Sequence, residues 1–174
     1  MSRTLPTPFS RWGDYGRYFE VPGGDFEGSL SGWTLRNGAI PAYGNDSYRI
    51  GSQYDQRSLL LPAYSSVTTP SICVTVLSPD LRFAVLRLGG VDTKLEVDLN
   101  YTDDKGVSRT QKVATVTGGY GWTLTDSVMF LKPVTSLLKR NGQTNVSFTF
   151  VANGSSRPGV WQIDDVWVDP YKST

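Results

Sequence analysis

KLEVDLNY, residues 94–101, decides the fold class. Leu95, Val97, Leu99 and Tyr101 alternate with Lys94, Glu96, Asp98 and Asn100. Successive side chains of an extended strand point to opposite faces, so this stretch has one buried and one wet face. TDDKG at 102–106 is a turn ending in glycine, and VSRTQKVATVT after it returns as the second arm of a hairpin. Further out, TNVSFTF (144–150) places Val146, Phe148 and Phe150 inward. SICVTV (71–76) places Ile72, Val74 and Val76 on one side and makes Cys73 a small buried apolar residue. RFAVLRL (82–88), TLTDSVMFL (123–131) and the short RSLLL (57–61) are three further strands with less regular alternation.

Turn signals separate these runs at 37–46, 78–81, 88–92, 118–121, 141–143 and 153–159, each with glycine, asparagine, aspartate or proline. KPVTSLLKRNG, 132–142, has room for a single helical turn before its glycine. Eight or nine short strands with turns every 8–12 residues predict an all-β, antiparallel sandwich or barrel. Residues 1–20 are rich in proline and aromatics and carry no pattern. They read as an extended arm laid over the sandwich or over a neighbour, with 21–174 as one β domain.

Composition excludes several functions. Seventeen basic residues against sixteen acidic give a net charge of +1 with no basic run. Phosphate binding needs clustered Lys and Arg, so nucleic acid is not an expected partner. No apolar run approaches the roughly 20 residues of a spanning helix. There is no histidine, which removes the commonest general base, Ser-His-Asp and Cys-His nucleophile systems, and most zinc and copper sites. Carboxylate-only chemistry such as glycoside hydrolysis stays open. The single cysteine has no internal partner for a disulfide. The first residues, MSRTLPTPFSRW, show no apolar signal core. Either a secretory signal was trimmed, which places the protein outside the cell or on its surface, or the chain is made and assembled in a cytoplasm.

WQIDDVWVDP, 161–170, puts two adjacent carboxylates inside an apolar strand. Regular alternation places Trp161, Ile163, Asp165 and Trp167 on one face, and Gln162, Asp164, Val166 and Val168 on the other. An unpaired buried charge is costly, so at least one aspartate needs a partner.

Three stretches together carry a family resemblance: VPGGDFEGSLSGW at 21–33, RSLLLPAYSSVTTPSICV with LRFAVL in the middle, and WQIDDVWVDP at the end. This chain resembles the galactose-binding-like jelly-roll domains, which include many carbohydrate-binding modules attached to glycanases. The middle segments resemble more narrowly a set of uncharacterised, mostly secreted actinobacterial proteins. Members of that set carry a signal peptide and a cysteine near the mature N-terminus, placed to pair with one at the Cys73 position. This chain departs from them in both respects, which a phage-encoded virion protein would fit.

The resemblance implies a jelly-roll β-sandwich and, in many sugar-binding members, one structural calcium ion. It points to Glu27 as a ligand, with Asp165 or Asp164 opposite and carbonyls from Pro22–Gly24; Asp25, Asp46 or Asp55 would complete the set. The competing reading pairs the aspartates with backbone amides or with Arg49, Arg57 or Arg82. For a glycan, the loop aromatics Tyr43, Tyr48, Tyr54, Tyr120 and Trp122 are the expected platforms, whereas Trp33, Trp161 and Trp167 read as core. Two functions follow as expectations. The first is a non-catalytic glycan-binding domain on a surface. The second is an assembly protein, such as a phage capsid or tail accessory protein, whose arm would use Phe9, Trp12 and Tyr18 to hold a neighbouring subunit in a homo-oligomer or larger assembly.

Overall fold

A computed structural model describes residues 5–77, 80–152 and 159–171. The turns expected at 78–81 and 153–159 fall largely outside them. The strands are β1 (Arg17–Glu20), β2 (Thr34–Arg36), β3 (Ile40–Tyr43), β4 (Arg57–Leu61), β5 (Ser66–Thr68), β6 (Ile72–Thr75), β7 (Asp80–Gly89), β8 (Leu95–Thr102), β9 (Ser108–Val116), β10 (Thr123–Leu124), β11 (Val128–Met129), β12 (Gln143–Val151) and β13 (Val160–Tyr171). The excess over eight or nine comes from pieces of two to four residues, too short to show a pattern in the sequence. The helical turn expected at 132–142 is a 3₁₀ turn followed by α1 (Thr135–Asn141), ended by Gly142 in the left-handed region.

Two antiparallel sheets face each other. One runs β10-β7-β13-β4-β3, with β1 also paired to β13 and β11 to β7; the other runs β2-β5-β12-β8-β9, with β6 also paired to β12. The core fills the space between them. Leu95, Val97 and Leu99 of β8 and Val146, Phe148 and Phe150 of β12 meet Leu81, Phe83 and Val85 of β7 and Trp161 and Ile163 of β13. Phe83 packs edge-on to Phe150, and Phe130 to Phe148. Trp33 and Trp161 are buried here too. The hairpin read from 94–116 is present, paired from Leu95↔Val116 to Thr102↔Ser108.

Three local expectations are corrected. Cys73 is exposed: Ile72 and Val74 take the core side of β6, and alternation turns the thiol outward. Val76 lies beyond the end of that strand and is also exposed. The third concerns β13, which does not alternate strictly. Asp164 is opposite Ala84 and Trp167 is opposite Arg82, so β13 advances three residues while β7 moves two. The extra residue is a β-bulge with Asp165 at φ 49°. Beyond it the phase reverses: Trp161 and Ile163 face the core before the bulge, Val166 and Val168 after it. Both aspartates therefore lie off the main core, and Trp167 joins a second cluster on the outside of its sheet.

The glycine turn of VPGGDFEG fits against this bulge. Val21 N–H donates to the carbonyl of Val166, and Val166 N–H donates to the carbonyl of Gly24. A Cβ on Gly24 would lie 2.9 Å from the carbonyl oxygens of Val166 and Val21, so only glycine permits this approach. Trp33, at the end of the same motif, donates its indole N–H to the carbonyl of Pro22 at 2.7 Å.

The second cluster shows where the arm goes. Phe9 and Tyr18 pack with Ile50, Ala84 and Trp167 on the outer face of the β7–β13 sheet. Phe9 meets Tyr18 edge-on at 4.7 Å, and the Arg82 guanidinium lies 4.8 Å over the Phe9 ring. Arg82 also forms an ion pair with Asp14 at 2.6 Å. The last four arm residues are strand β1, so the arm ends inside the sheet.

Candidate functional site

The segment between β3 and β4, residues 44–56, crosses the outer face of the β7–β13 sheet. Its base is closed by Gly44 N–H donating to Gln56 carbonyl. Glu27 fastens the same base, where Oε1 accepts the backbone N–H groups of Gln56 and Arg57. Asp46 fastens the middle. Its backbone N–H donates to Asp164 Oδ2 at 2.9 Å, while its own carboxylate accepts from Tyr48 and Ile50 N–H. Asp164 Oδ1 accepts from Asp165 N–H. The Tyr48 hydroxyl then reaches the opposite edge of the sheet and donates to the carbonyl of Trp122.

This crossing brings Asp46, Asp164 and Asp165 together. All three are buried, and one carboxylate oxygen from each lies within 4.8 Å of the others. Their hydrogen bonding differs. Both oxygens of Asp164 and of Asp46 accept backbone amides, whereas Asp165 is 1 % exposed with no well-formed hydrogen bond to either oxygen. Burial, then the charge of Asp165, holds the Asp164 carboxyl far above the usual carboxylate range. Burial, then Asp46, does the same to Asp165. Glu20, nearby on β1, is pushed up to about 7 by burial and by Asp25 and Asp55.

Part of the expected ligand set is corrected here. Glu27 does not join Asp164 and Asp165, because its carboxylate caps the backbone at 56–57; Asp46 takes that place. Nor does one of the three expected arginines reach the pair. Arg82 is bound to Asp14, Arg49 donates to the carbonyl of Gln53, and Arg57 lies over Tyr43. The cluster fits a hard cation on two observations. Asp165 holds two oxygens with no well-formed hydrogen bond in a buried acidic site, and Gly51 packs directly against one of them. A Cβ at Gly51 would stand 2.6 Å from Asp165 Oδ1 and 2.9 Å from Asp55 Oδ2.

The five expected platform aromatics divide. Tyr43, Tyr54 and Tyr120 are exposed and stand apart, Tyr43 under Arg57 and Tyr120 under Arg87. Tyr48 and Trp122 are joined by their hydrogen bond, and Trp12 of the arm adds to them, edge-on to Tyr48 at 5.2 Å. Trp12 is 36 % exposed, while Phe9 and Tyr18 are buried within this chain and present no surface to a neighbour. Beside this wall runs one row of the outer face: Ile40 opposite Leu60, Leu60 opposite Gln162, Gln162 opposite Leu86. Continuing the β10 register by one step puts Trp122 next to Leu86. The row is apolar at Ile40, Leu60 and Leu86, polar at Gln162, and walled by Trp12, Tyr48 and Trp122. Sequence alone ties Trp12 only to the arm, because its partner Tyr48 is 36 positions away.

No protein-family model matches the sequence, and no curated protein is significantly similar to it. Solved structures do match its fold. A xylan-binding domain from CBM 22 superposes with TM-score 0.53 at 18 % identity, over 92 % of this chain and 99 % of that one. The CBM22-1 xylan-binding domain of Paenibacillus barcinonensis Xyn10C gives 0.57 at 12 %, over 90 % and 94 %. A mutant of the family 29 carbohydrate-binding module CBM29-2, complexed with cellulohexaose, gives 0.53 at 11 %, over 90 % and 92 %. The chain has the jelly-roll sandwich fold of carbohydrate-binding modules.

Proposed function

We propose that this protein is a non-catalytic glycan-binding module, acting outside the cell or on its surface, with one structural calcium ion at Asp46, Asp164 and Asp165. The observation that carries the glycan reading is the aromatic wall of Trp12, Tyr48 and Trp122 beside the Ile40–Leu60–Gln162–Leu86 row. Sugar rings have apolar faces that stack on aromatic edges and planes, with a few polar groups setting orientation. Gln162 and the Tyr48 ring supply both kinds of contact. The named similarities to xylan-binding and cellulohexaose-bound modules favour β-linked plant polysaccharides as first probes. Catalysis has no support from the clustered carboxylates, which are buried under the 44–56 segment. Calcium takes six to eight oxygens; the three aspartates supply carboxylates, and Asp55 beside Gly51 is the nearest addition. Bound there, the ion would tie the 44–56 segment to β13 and hold Tyr48 in the wall.

Affinity electrophoresis in gels containing xylan, soluble cellulose derivatives or β-1,4-galactan tests the reading. Retardation by at least one polymer is expected, with loss of about tenfold or more in affinity for Trp122→Ala, since a stacked aromatic contributes roughly 1–3 kcal/mol by analogy with base stacking. Unretarded migration in every polymer would remove it. The virion-assembly alternative needs the arm aromatics free for a neighbour, and Phe9 and Tyr18 are buried in this chain's own sheet.

A further inference from the structure

Four arginines lie over aromatic rings, and their surroundings divide them. Arg82, over the buried Phe9, is fully engaged: one nitrogen binds Asp14, and the other two donate to the carbonyl of Thr125. Arg11 lies 4.8 Å over Trp12, Arg57 5.6 Å over Tyr43 and Arg87 4.5 Å over Tyr120. None of these three forms an ion pair or a side-chain hydrogen bond among the described residues. Their rings are the exposed ones, and Trp12 belongs to the aromatic wall itself.

Arg87 is the most firmly placed. It follows Leu86 of the row, and Tyr120 stands two residues before Trp122 of the wall. The Arg87 N–H donates to the carbonyl of Gly119 at 3.0 Å. Gly118, at φ 51°, packs against the buried Trp161 ring, where a Cβ would stand 2.7 Å from Cζ3. The GGYG turn is thus fixed at two successive residues, and it presents Tyr120, 66 % exposed, under the guanidinium. The Nε of Arg87 is buried without a hydrogen-bond partner. Its two terminal nitrogens bond no described acceptor and are not buried, so the open edge of the fork is the end-on one.

Stacking uses the face of a guanidinium and leaves its in-plane N–H donors free. Two parallel donors at the open edge match the paired oxygens of a carboxylate or a sulfate ester, and such charge-assisted pairs are about twice as strong as neutral ones. A neutral chain on this face leaves the stacked guanidinium groups without counter-charge, whereas an acidic chain pairs them. We infer that the glycan taken here is acidic, with a carboxylate or sulfate group held end-on by Arg87 over Tyr120. This rests on the glycan reading above and adds the class of sugar.

Titration calorimetry at about 0.15 M salt, where long-range attraction is screened, tests it. The probes share one β-1,4-glucan backbone: neutral hydroxyethylcellulose, cellulose oxidised at C6 to the glucuronate, and cellulose sulfate. At least one acidic polymer is expected to bind about tenfold or more tightly than the neutral one, and the polymer that does so names the anion. Arg87→Gln should bring that affinity down to the neutral polymer's. Arg87→Lys keeps the charge but loses the fork, and should lose most of the preference. Arg36→Gln makes the same change in net charge from a strand of the other sheet, and should keep the preference. Equal affinity for all three polymers, a preference that survives in Arg87→Gln, or an equal loss in Arg36→Gln would overturn the inference while leaving the glycan reading in place. Wild type that binds none of the three would overturn both. Should Arg87→Gln lower the melting temperature, Tyr120→Ala, at an exposed turn residue, is the second variant; it should weaken the preference severalfold, and an unchanged preference would overturn the stacked geometry.

Discussion

Replacing Asp165 by asparagine isolates the state of the buried carboxylate cluster. In the folded chain burial, then the contact with Asp46, raises the Asp165 pKa to about 9, from an ordinary 3.8. A carboxyl whose folded pKa is raised stabilises the fold fully below its unfolded pKa. That contribution is lost as pH rises toward the folded value. At about pH 7 the unfolded carboxyl is ionised and the folded one protonated. The difference is roughly 3 pKa units, or about 4 kcal/mol at 1.36 kcal/mol per unit. Asparagine keeps the shape, is neutral at every pH, and brings an N–H donor toward the oxygens of Asp46 and Asp164. Even half of this, about 2 kcal/mol, corresponds to roughly 4–8 °C in melting temperature for a chain of this size. Circular-dichroism melts in chelator, from about pH 4 to pH 8, should show Asp165→Asn well above wild type near pH 7.5 and the two converging near pH 4. Calcium should reverse the order at the upper end, because only wild type keeps the full ligand set and gains the linkage stabilisation. A wild-type melting temperature that is flat across this range, or a variant that melts below wild type in chelator at pH 7.5, would refute the reasoning.

Other consequences are simpler to check. Gly51→Ala places a methyl 2.6 Å from Asp165 Oδ1, so the variant should lose most of the calcium-dependent rise in melting temperature. Phe9→Ala removes a fully buried ring from the second cluster and should cost about 3–5 kcal/mol; limited proteolysis should then cleave within the arm while β7–β13 stays protected. Cys73 should react with a thiol reagent in the native protein at nearly the rate seen in denaturant, and a thiol protected until unfolding would contradict its outward placement.

The strands with a clean period of two are legible because each has one partner face. KLEVDLNY and TNVSFTF pack against the same core and pair with each other, so local pattern and tertiary burial agree. The short strands β2, β3, β5, β10 and β11 are not legible, since two to four residues show no period and their pairing is set by longer neighbours. At Cys73 phase outranks residue type: a small apolar side chain suits a core, but Ile72 and Val74 already claim the core side of that strand. The arm's partners are beyond the reach of local pattern, since Phe9 and Tyr18 meet Ile50, Ala84 and Trp167 through contacts separated by tens to more than a hundred positions.

The acidic cluster is half legible, and the missing half has a physical reason. Strict alternation through WQIDDVWVDP buries a carboxylate in the sandwich in either phase. With Trp161 and Ile163 inside, Asp165 follows them; with Val166 and Val168 inside, Asp164 does. Neither has a cation available in the core, so neither phase is tolerable on its own. One extra residue removes the conflict. It lets Trp161 and Ile163 face inward on one side of the bulge and Val166 and Val168 on the other, and it turns both aspartates outward. The left-handed backbone at Asp165 is the local cost, on a residue type that tolerates it better than most. An adjacent acidic pair between two apolar runs of opposite phase is therefore a readable bulge signal. What no local pattern carries is the partner. Asp46 arrives from a segment nearly 120 positions earlier, held there by Glu27 at one end and Tyr48 at the other. The same crossing that completes the carboxylate cluster also sets Tyr48 between Trp12 and Trp122, so loosening the cluster should loosen the glycan wall with it.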